Sequence, residues 1–487
     1  MRRRAAKRWL AAGGAVLAWG APAPALAHAF EKRYDLPIPL EMFLAGAGLA
    51  VALSFIVMGF FVRSGGRHFD YPRFDLLRLA PFRLLAHRSV RLAARGFSAA
   101  AFLLILLAGF LGEQNPMRNI ITTAVWIVWW VGMAYVCSLL GDAWSLLNPW
   151  GSLFAGAEAL HRRLRPGAPL SLNLPLPARV GSWPAAALFL WFAWAEIGWQ
   201  NNFVPANIAF AAGVYSLITW GGMLLFGREE WLRRGEAFAV VFGLLGRFGV
   251  TEARTGPGGR REWNLRPPAV GLLAKEVPHP SAVALVLMVL ATVTFDGFTE
   301  TAQWQGLRTR LFDLFAWLGA RTAFQMADAF ALCAAPAIFF LVYLLFAWLV
   351  RLAGGRVLPA GEVARRFVFS LVPIAIGYHL AHYFSYLFIQ GQRLIPLASD
   401  PFGWGWNLLG TAGYEVDIGI VEARLVWNLS LAAIVLGHIF AVYLAHVVAL
   451  GALKDRRLAL RSQYPMLVLM VGYTVLSLWI IAQPIVG

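Results

Sequence analysis

The chain of 487 residues is 59% hydrophobic and 14% charged, whereas roughly a quarter of the residues of an ordinary soluble protein are charged. Its net charge of +17 does not indicate a nucleic-acid partner, because the basic residues are dispersed over many loops instead of forming one patch. The composition therefore excludes a typical soluble domain and predicts a membrane protein with arginine-rich loops.

The chain begins with the segment MRRRAAKR, followed by a short apolar run over 9–19 and by the segment APAPALA. This order is typical of a secretory signal peptide, which we predict over 1–27; the alternative is an uncleaved first anchor. Cleavage would leave His28 at the N-terminus of a single membrane domain over 28–487. The amine and imidazole of a terminal His28 could chelate copper, with His382 as its partner.

Ten apolar stretches follow, and most of them approach the roughly 20 residues that a helix needs to cross the hydrocarbon core. Helices are expected because a backbone exposed to lipid must satisfy its own hydrogen bonds. The fold class is therefore predicted to be all-α, a polytopic bundle of about ten transmembrane helices. The predicted spans are 40–62, 96–111, 119–140, 183–199, 204–226, 281–298, 326–350, 367–390, 425–450 and 466–485.

The loops between these spans differ in charge. One alternate set holds 29 Lys and Arg residues and the other set holds 8. The positive-inside rule places the first set in the cytoplasm. We therefore expect a bacterial inner membrane protein, with the mature N-terminus and the C-terminus on the periplasmic side. Within the loops, interfacial helices are predicted over 231–248 and, on the outer side, over 311–324, and a polar cytoplasmic loop over 251–267.

Histidines within the spans are the first candidates for function, because ionisable groups are costly in hydrocarbon. His379 and His382 are three residues apart and so share one face of their helix. His438 lies at a similar depth in the next, antiparallel span. Three converging imidazoles would suit zinc, copper or iron. Two alternatives remain open, namely neutral histidines that join helices or relay protons and axial haem ligation by His379 and His438.

Carboxylates in the outer half of the spans are the second group of candidates. Glu196 lies inside the fourth span and Asp296 near the outer end of the sixth. Either could act as a base or orient a ligating imidazole. Glu300 and Asp328 lie close by in the sequence, and they could instead pair with outer-side arginines such as Arg308.

The outer segment 391–424 joins the two histidine-bearing spans and is rich in glycine, proline and aromatic residues. This composition is typical of an ordered loop that covers a cavity. Four of its side chains are candidates for an entrance, and the alternative is an interfacial aromatic anchor. These four residues are Asp400, Trp404, Trp406 and Asn407.

Four motifs give the chain a resemblance to a known family: HAFEKRYDLPIPL at 28–40, GDAWSLLNPW at 141–150, YHLAHYFSYLFIQGQ at 378–392 and SDPFGWGWNLLGTA at 399–412. The chain resembles bacterial polytopic membrane proteins that are labelled fenitrothion hydrolase. The resemblance covers most of the chain and implies hydrolysis of an organophosphate triester in the membrane. It assigns no catalytic residue, and Ala29 stands where the family commonly has glycine.

These observations lead to one expectation and two alternatives. The expectation is an integral membrane hydrolase that acts on a lipophilic phosphotriester, with a divalent transition metal on His379, His382 and His438. A metal-bound water supplies hydroxide near neutral pH, and Asp296 or Glu196 would be the base. The alternatives are a transporter of metal ions or protons and a noncatalytic membrane subunit. The expected partners are the lipid bilayer and a small lipophilic molecule.

Overall fold

The computed structural model describes residues 35–62, 71–256, 259–274, 276–453 and 455–486, with side chains as far as 483. The predicted signal peptide over 1–27 and the copper site at His28 lie outside these residues. Within the described part of the chain, ten helices are long and apolar enough to cross a membrane, and they overlap all ten predicted spans. The all-α polytopic bundle predicted from the sequence is confirmed.

The described helices alternate between long spans and short connecting elements. Those of the first half are α1 (Leu40–Phe61), α2 (Ala80–Leu85), α3 (Arg88–Leu111), α4 (Ile120–Leu140), α5 (Trp144–Leu147), α6 (Pro149–Leu164), α7 (Trp183–Ala193), α8 (Pro205–Phe226), α9 (Arg228–Arg234) and α10 (Ala237–Gly246). Those of the second half are α11 (Pro280–Thr299), α12 (Ala302–Phe315), α13 (Ala320–Ala353), α14 (Ala360–Phe367), α15 (Val372–Gln390), α16 (Leu394–Ser399), α17 (Ala423–Ala452) and α18 (Arg456–Val486).

Local sequence signals explain where several of these helices begin. Proline is the first residue of α8 and α11, where its missing N–H costs nothing and its fixed φ suits the helix. Asn119 caps α4 by accepting a hydrogen bond from the Ile121 N–H at 3.1 Å. Its amide nitrogen also donates to the carbonyl of Ala108 at 2.8 Å. Asn119 therefore fixes the short connection between α3 and α4.

Helices α15 and α17 form the centre of the bundle. In the most apolar window of the Ala360–Ser399 span 89% of the residues are buried, compared with 11% for the peripheral helix α3. The two helices touch through Gly377 and Gly437. A Cβ atom on Gly377 would lie 2.5 Å from the Ala433 carbonyl oxygen, and one on Gly437 would lie 2.6 Å from that of Pro373. Small residues thus allow the two backbones to approach closely, as is common in membranes.

Helix α10 departs from the sequence prediction. An interfacial helix was expected over 231–248, but α10 lies inside the bundle, and Val241 and Phe242 are fully buried. The carboxylate of Glu236 caps α10 by accepting from the N–H groups of Phe238 and Ala239 at 2.9 and 2.7 Å. The prediction is wrong for this helix because its charged residues lie just before and just after it, which leaves the helix itself wholly apolar.

Within the segment 251–267, the residues that the structure describes include two paired strands, where the sequence predicted a polar loop. Strands β2 (Thr251–Thr255) and β3 (Arg261–Leu265) pair antiparallel, and the two-residue strand β1 (Phe74–Asp75) pairs with β3 on its other side. Most residues of both strands are polar or charged. The strands therefore lack the alternation of apolar and polar residues from which a strand is predicted. The sheet lies among the loops predicted to be cytoplasmic, so the membrane bundle is unaffected.

The outer-side segment predicted as an interfacial helix over 311–324 is divided between three elements. Helix α12 ends at Phe315, a single 3-10 turn covers Ala316–Leu318, and α13 begins at Ala320. Leu314 and Trp317 are 61% and 80% exposed, as expected for apolar side chains at a membrane surface. The prediction of helix is confirmed for its first part, and the second part belongs to the long helix α13.

Candidate functional site: a carboxylate, imidazole and phenol cluster

Asp296 is the centre of a polar cluster between α11 and α15. Its Oδ2 accepts a hydrogen bond from the Tyr383 hydroxyl at 2.6 Å and lies 2.9 Å from His382 Nε2. The side chains of His382 and Asp296 are 6% and 24% exposed, so the imidazole is enclosed while the carboxylate reaches open space. Hydrogen bonds to a charged carboxylate are stronger than neutral ones. The sequence prediction had placed Asp296 and His382 in the site, and the structure brings them into direct contact.

A glycine on α11 makes room for a tyrosine beside this cluster. A Cβ atom on Gly297 would lie 2.3 Å from the hydroxyl oxygen of Tyr378, which stands one turn before His382 on α15. The rings of Tyr378 and His382 have centroids 6.0 Å apart. A larger residue at 297 would displace the Tyr378 hydroxyl, so Gly297 leaves the space in which the Tyr378 side chain packs beside the site.

Glu196 brings a second carboxylate to the same place from α7. It lies in a π-helical turn, Trp194–Gly198, that continues α7, and such turns are frequent at functional sites. Glu196, His379 and Tyr383 line one small cavity of about 20 Å³, which is close to the space that a single water needs. Glu196 and Asp296 also interact electrostatically. The site therefore brings together two carboxylates from different helices.

Glu300 follows α11 directly and belongs to the same electrostatic group. Burial raises the pKa of Glu300, the charge of Asp296 raises it further, and His382 acts in the opposite direction. Asp328 is different, because it forms a two-pronged ion pair with Arg308 at 2.7 Å for both contacts. The sequence predicted that either residue could pair with an outer-side arginine, and the structure shows such a pair for Asp328.

His379 lies beside the cluster without joining its hydrogen bonds. Its ring centroid is 4.7 Å from that of Tyr383, 5.7 Å from that of Trp130 and 6.0 Å from that of Tyr135. Within the described part of the chain its Nε2 has no hydrogen-bond partner. A buried nitrogen of this kind next to Glu196 and a water-sized cavity is unusual. It makes His379 the neighbour of the site that is best placed to meet an additional polar group.

His438 lies in different surroundings. Its Nδ1 is 2.8 Å from the carbonyl oxygen of Ile434, and its ring packs against Tyr473 with centroids 5.8 Å apart. Among the described residues, no three His, Cys, Asp or Glu side chains are grouped so as to hold a metal ion. The predicted ligand set of His379, His382 and His438 is thus not assembled, and the residues do not fit a three-histidine metal site.

The rotation of the two helices explains why the three imidazoles stay apart. Residues on an α-helix are about 100° apart around the axis. Gly437 faces α15, so His438 is turned by about 100° from the contact, and His379 is turned by about 200° from Gly377. The sequence predicted correctly that α15 and α17 pack together. It could not give the rotation, which the glycine contact determines.

The outer segment 391–424 is held by its own hydrogen bonds. Asp400 accepts from the N–H groups of Trp404 and Gly405 at 3.0 and 2.6 Å, and Asn407 bonds to Ser399 at 3.0 Å. The Glu113 N–H donates to the carbonyl of Phe402 at 2.8 Å, so the segment covers the outer connection between α3 and α4. Asp400 and Asn407 therefore order this loop, while Trp404 and Trp406 are 52% and 40% exposed.

Two contributors to the site were not singled out as site residues from the sequence. Tyr383 was not among the sequence candidates, yet it donates to Asp296 and lines the small cavity. Trp130 lies in the π-helical stretch Ala124–Val131 of α4 and lines the same cavity. The spacing of Tyr383, one residue after His382, could have indicated the first, but no local pattern marks the second.

Comparison with known proteins adds no family to this geometry. A scan against protein-family models finds no matching family, and searches of the curated proteins and of the solved structures find no significant match. The resemblance of the four sequence motifs therefore stays a prediction, and the site has to be interpreted from its own residues.

Proposed function

We propose that the chain is an integral membrane hydrolase whose site consists of Asp296, Glu196, His382 and Tyr383. The observation that carries the proposal is the position of Asp296, whose Oδ2 is shared by His382 and Tyr383 inside the bundle. A carboxylate fixed by two neighbours is oriented for proton transfer, which is the first requirement of a general base.

The chemistry follows from the two carboxylates. Asp296 accepts the proton of an attacking water, while His382 and Tyr383 hold its Oδ2 in place. Glu196, which lines the small cavity together with Tyr383, donates a proton to the leaving group. Two carboxyl groups in different environments can divide the roles of base and acid in this way. Because the residues do not fit the predicted metal site, no step of this scheme uses a metal ion.

The position of the cluster supports a lipophilic substrate. Asp296, His382 and Glu196 lie on three membrane-crossing helices, α11, α15 and the extension of α7. A neutral ester that dissolves in the bilayer can reach such a site without crossing water. The motif resemblance implies a phosphotriester, and this substrate class belongs to the proposal.

Turnover by the reconstituted protein tests the proposal. Wild type in liposomes is expected to hydrolyse an aryl phosphotriester, and Asp296→Asn is expected to lose at least about 100-fold in kcat, in the range of general-base removal. Asp328→Asn is the matched control, because Asp328 is also an outer-side aspartate but pairs with Arg308. Wild-type turnover by Asp296→Asn would contradict the assignment of the base.

A second candidate, a proton-coupled transporter, is supported by the surroundings of α10. A cavity of about 520 Å³ near the predicted cytoplasmic side is lined by Asp142 and Arg247 together with Val240 and Gly243 of α10. The opposite face of α10 lines the small cavity of Glu196 through Val241 and Leu245. Polar groups thus lie on both sides of one short helix, as alternating access would require.

Proton flux separates the two functions. Liposomes that contain the protein and an internal pH dye are expected to show no flux above empty liposomes if the chain is a hydrolase. Flux that disappears in Asp296→Asn, without triester turnover by wild type, would favour the transporter.

The predicted location is also part of the proposal. We infer a bacterial inner membrane with both ends of the mature chain on the periplasmic side, which rests on the distribution of 29 against 8 basic residues between the loops. A C-terminal fusion to a reporter that works only in the periplasm should be active. A C-terminal fusion to a reporter that works only in the cytoplasm should be inactive.

A further inference from the structure

A second cavity lies beside the proposed site, between α3, α4, α7 and α8. Its volume is about 290 Å³, and no charged side chain is among the residues that line it. Nearly half of the residues that line it are aromatic. They include Phe102, Trp129, Trp144, Trp150, Phe192 and Phe238. We call this cavity the aromatic chamber.

Several ring pairs of the aromatic chamber are packed edge to face, and others are stacked or tilted. Trp129 and Phe238 have centroids 4.4 Å apart with planes at 71°, and Trp144 and Trp150 are 5.9 Å apart at 69°. Aromatic rings prefer this arrangement because the positive edge of one meets the negative face of another. A chamber with such walls offers both edges and faces to a ring that enters it.

Only one layer of residues separates the aromatic chamber from the polar site. In the π-helical stretch of α4, Trp129 lines the chamber while the next residue, Trp130, lines the small cavity. In the π-helical turn after α7, Ala195 lines the chamber while Glu196 lines the small cavity. Two π-helical segments, which are rare in proteins and frequent at functional sites, therefore form the wall between them.

The lining of the aromatic chamber extends to the outer surface of the bundle. Phe97 of α3 forms part of its lining and is 75% exposed. Helix α3 has the smallest buried share of the ten membrane helices, so its outer surface faces the bilayer. The edge of the aromatic chamber at Phe97 therefore lies at the surface that is predicted to face lipid.

We propose that the aromatic chamber binds the aromatic ring of a neutral lipophilic molecule and holds it beside the wall that carries Glu196. A cavity of about 150 Å³ holds benzene, so 290 Å³ has room for one substituted ring. The lack of charged residues in its lining favours a neutral ligand. The proposed binding of a ligand does not depend on the proposed hydrolase function. Only the role of the aromatic chamber in catalysis rests on that function.

Photolabelling of the protein in nanodiscs tests binding. The probe is 4-azidonitrobenzene, competed by unlabelled 4-nitroanisole, with empty nanodiscs as background. Saturable labelling of α3, α4 or α8 peptides is expected in wild type. Ala212→Leu fills the chamber, since Ala212 is part of its lining, and is expected to lower saturable labelling at least tenfold. Gly213→Leu is the matched control, because a Cβ atom there meets nothing within 4 Å.

Two results would overturn the proposal. One is equal saturable labelling of wild type and Ala212→Leu. The other is competition by decanol as strong as by 4-nitroanisole, which would make the chamber an alkyl-chain site.

Asp296→Asn separates this proposal from the hydrolase proposal. The variant is expected to keep saturable labelling while losing triester turnover. If it keeps turnover, the hydrolase assignment fails and the binding result is unaffected. If Ala212→Leu loses labelling but keeps the wild-type kcat/KM, the chamber has no part in substrate delivery.

Discussion

The two central helices, α15 and α17, both carry buried histidines but give them different partners. On α15, His382 Nε2 lies 2.9 Å from the carboxylate of Asp296, which belongs to another helix. On α17, His438 Nδ1 lies 2.8 Å from the carbonyl of Ile434 in its own helix. An imidazole beside a carboxylate can exchange a proton with it, whereas a main-chain carbonyl only fixes the tautomer. The partner, and not the depth in the membrane, indicates which histidine can do chemistry.

His446 extends the comparison, since it too lies on α17 and is fully buried. Its Nδ1 is 2.9 Å from Gln463 Oε1 and its Nε2 is 2.9 Å from the Val62 carbonyl. These contacts join α17 to α18 and to the end of α1. His446 therefore holds elements of the bundle together, whereas the hydrogen bond of His438 stays within α17.

The largest expected difference between the two helices is in activity. His382→Gln should lower triester turnover by about 100-fold, because it removes the imidazole that orients Asp296. His438→Gln should stay within about threefold of wild type, since its partner is a main-chain carbonyl. The measurement is kcat in liposomes, with thermal unfolding of both variants as the control for folding. Equal losses of kcat in the two variants would show that the hydrogen-bond partner does not distinguish the roles of the two histidines.

The glycine contact that sets the rotation of the two helices can be broken directly. Gly437→Ala places a Cβ atom 2.6 Å from the Pro373 carbonyl oxygen and should lower the free energy of unfolding by about 2 kcal/mol, as overpacking does. Gly472→Ala on α18 is the control, because its Cβ meets nothing within 4 Å. The measurement is unfolding in detergent with added denaturant. An unchanged midpoint for Gly437→Ala would show that the contact does not limit the packing.

A smaller effect is expected from the phenol of the cluster. Tyr383→Phe removes the 2.6 Å hydrogen bond to Asp296 but leaves His382 in contact with the carboxylate. We expect a loss of about tenfold in kcat, which corresponds to roughly 1.4 kcal/mol. Tyr473→Phe is the control, because the ring of Tyr473 packs against His438. A Tyr383→Phe variant with wild-type kcat would remove the phenol from the proposed site.

The smallest expected effect is on stability and concerns Glu252. In contrast to Asp296, this carboxylate lies outside the membrane-crossing helices. Glu252 on β2 is paired with Arg73 and Arg266. Burial by itself would raise the pKa of Glu252. Hydrogen bonds from Arg73 and Tyr71 and the charge of Arg266 outweigh burial and hold this pKa below its ordinary value.

Because the pKa of Glu252 is depressed by folding, its stabilising contribution is present above the ordinary glutamate pKa and is lost as the pH falls through the folded-state pKa. Glu252→Gln should therefore lose about 1 kcal/mol at pH 7, allowing for solvent screening, and the difference from wild type should vanish at low pH. Protease cleavage of the segment 251–267 at several pH values measures this. A difference that persists at low pH would argue against the ion pairs as its cause.

The sequence alone indicated the ten membrane-crossing helices and the polar residues that stand out within them. Hydropathy is a local property, so a run of apolar residues reports a span whatever its neighbours are. For the same reason Glu196, Asp296 and His382 could be selected as costly exceptions in hydrocarbon. The short helix α10 shows the limit of this reasoning, because its apolar run is too short to span and its burial depends on the helices around it.

The tertiary structure alone decided which of the polar residues meet. The rotation of a helix about its axis depends on the side chains across the contact, and here the close approach of Gly377 and Gly437 turns His438 away from α15. The packing of α15 against α11 in turn brings His382 and Tyr383 to Asp296, beside the space that Gly297 leaves for Tyr378. Such contacts join residues that are 60 to 90 positions apart in the sequence, and no local pattern records them.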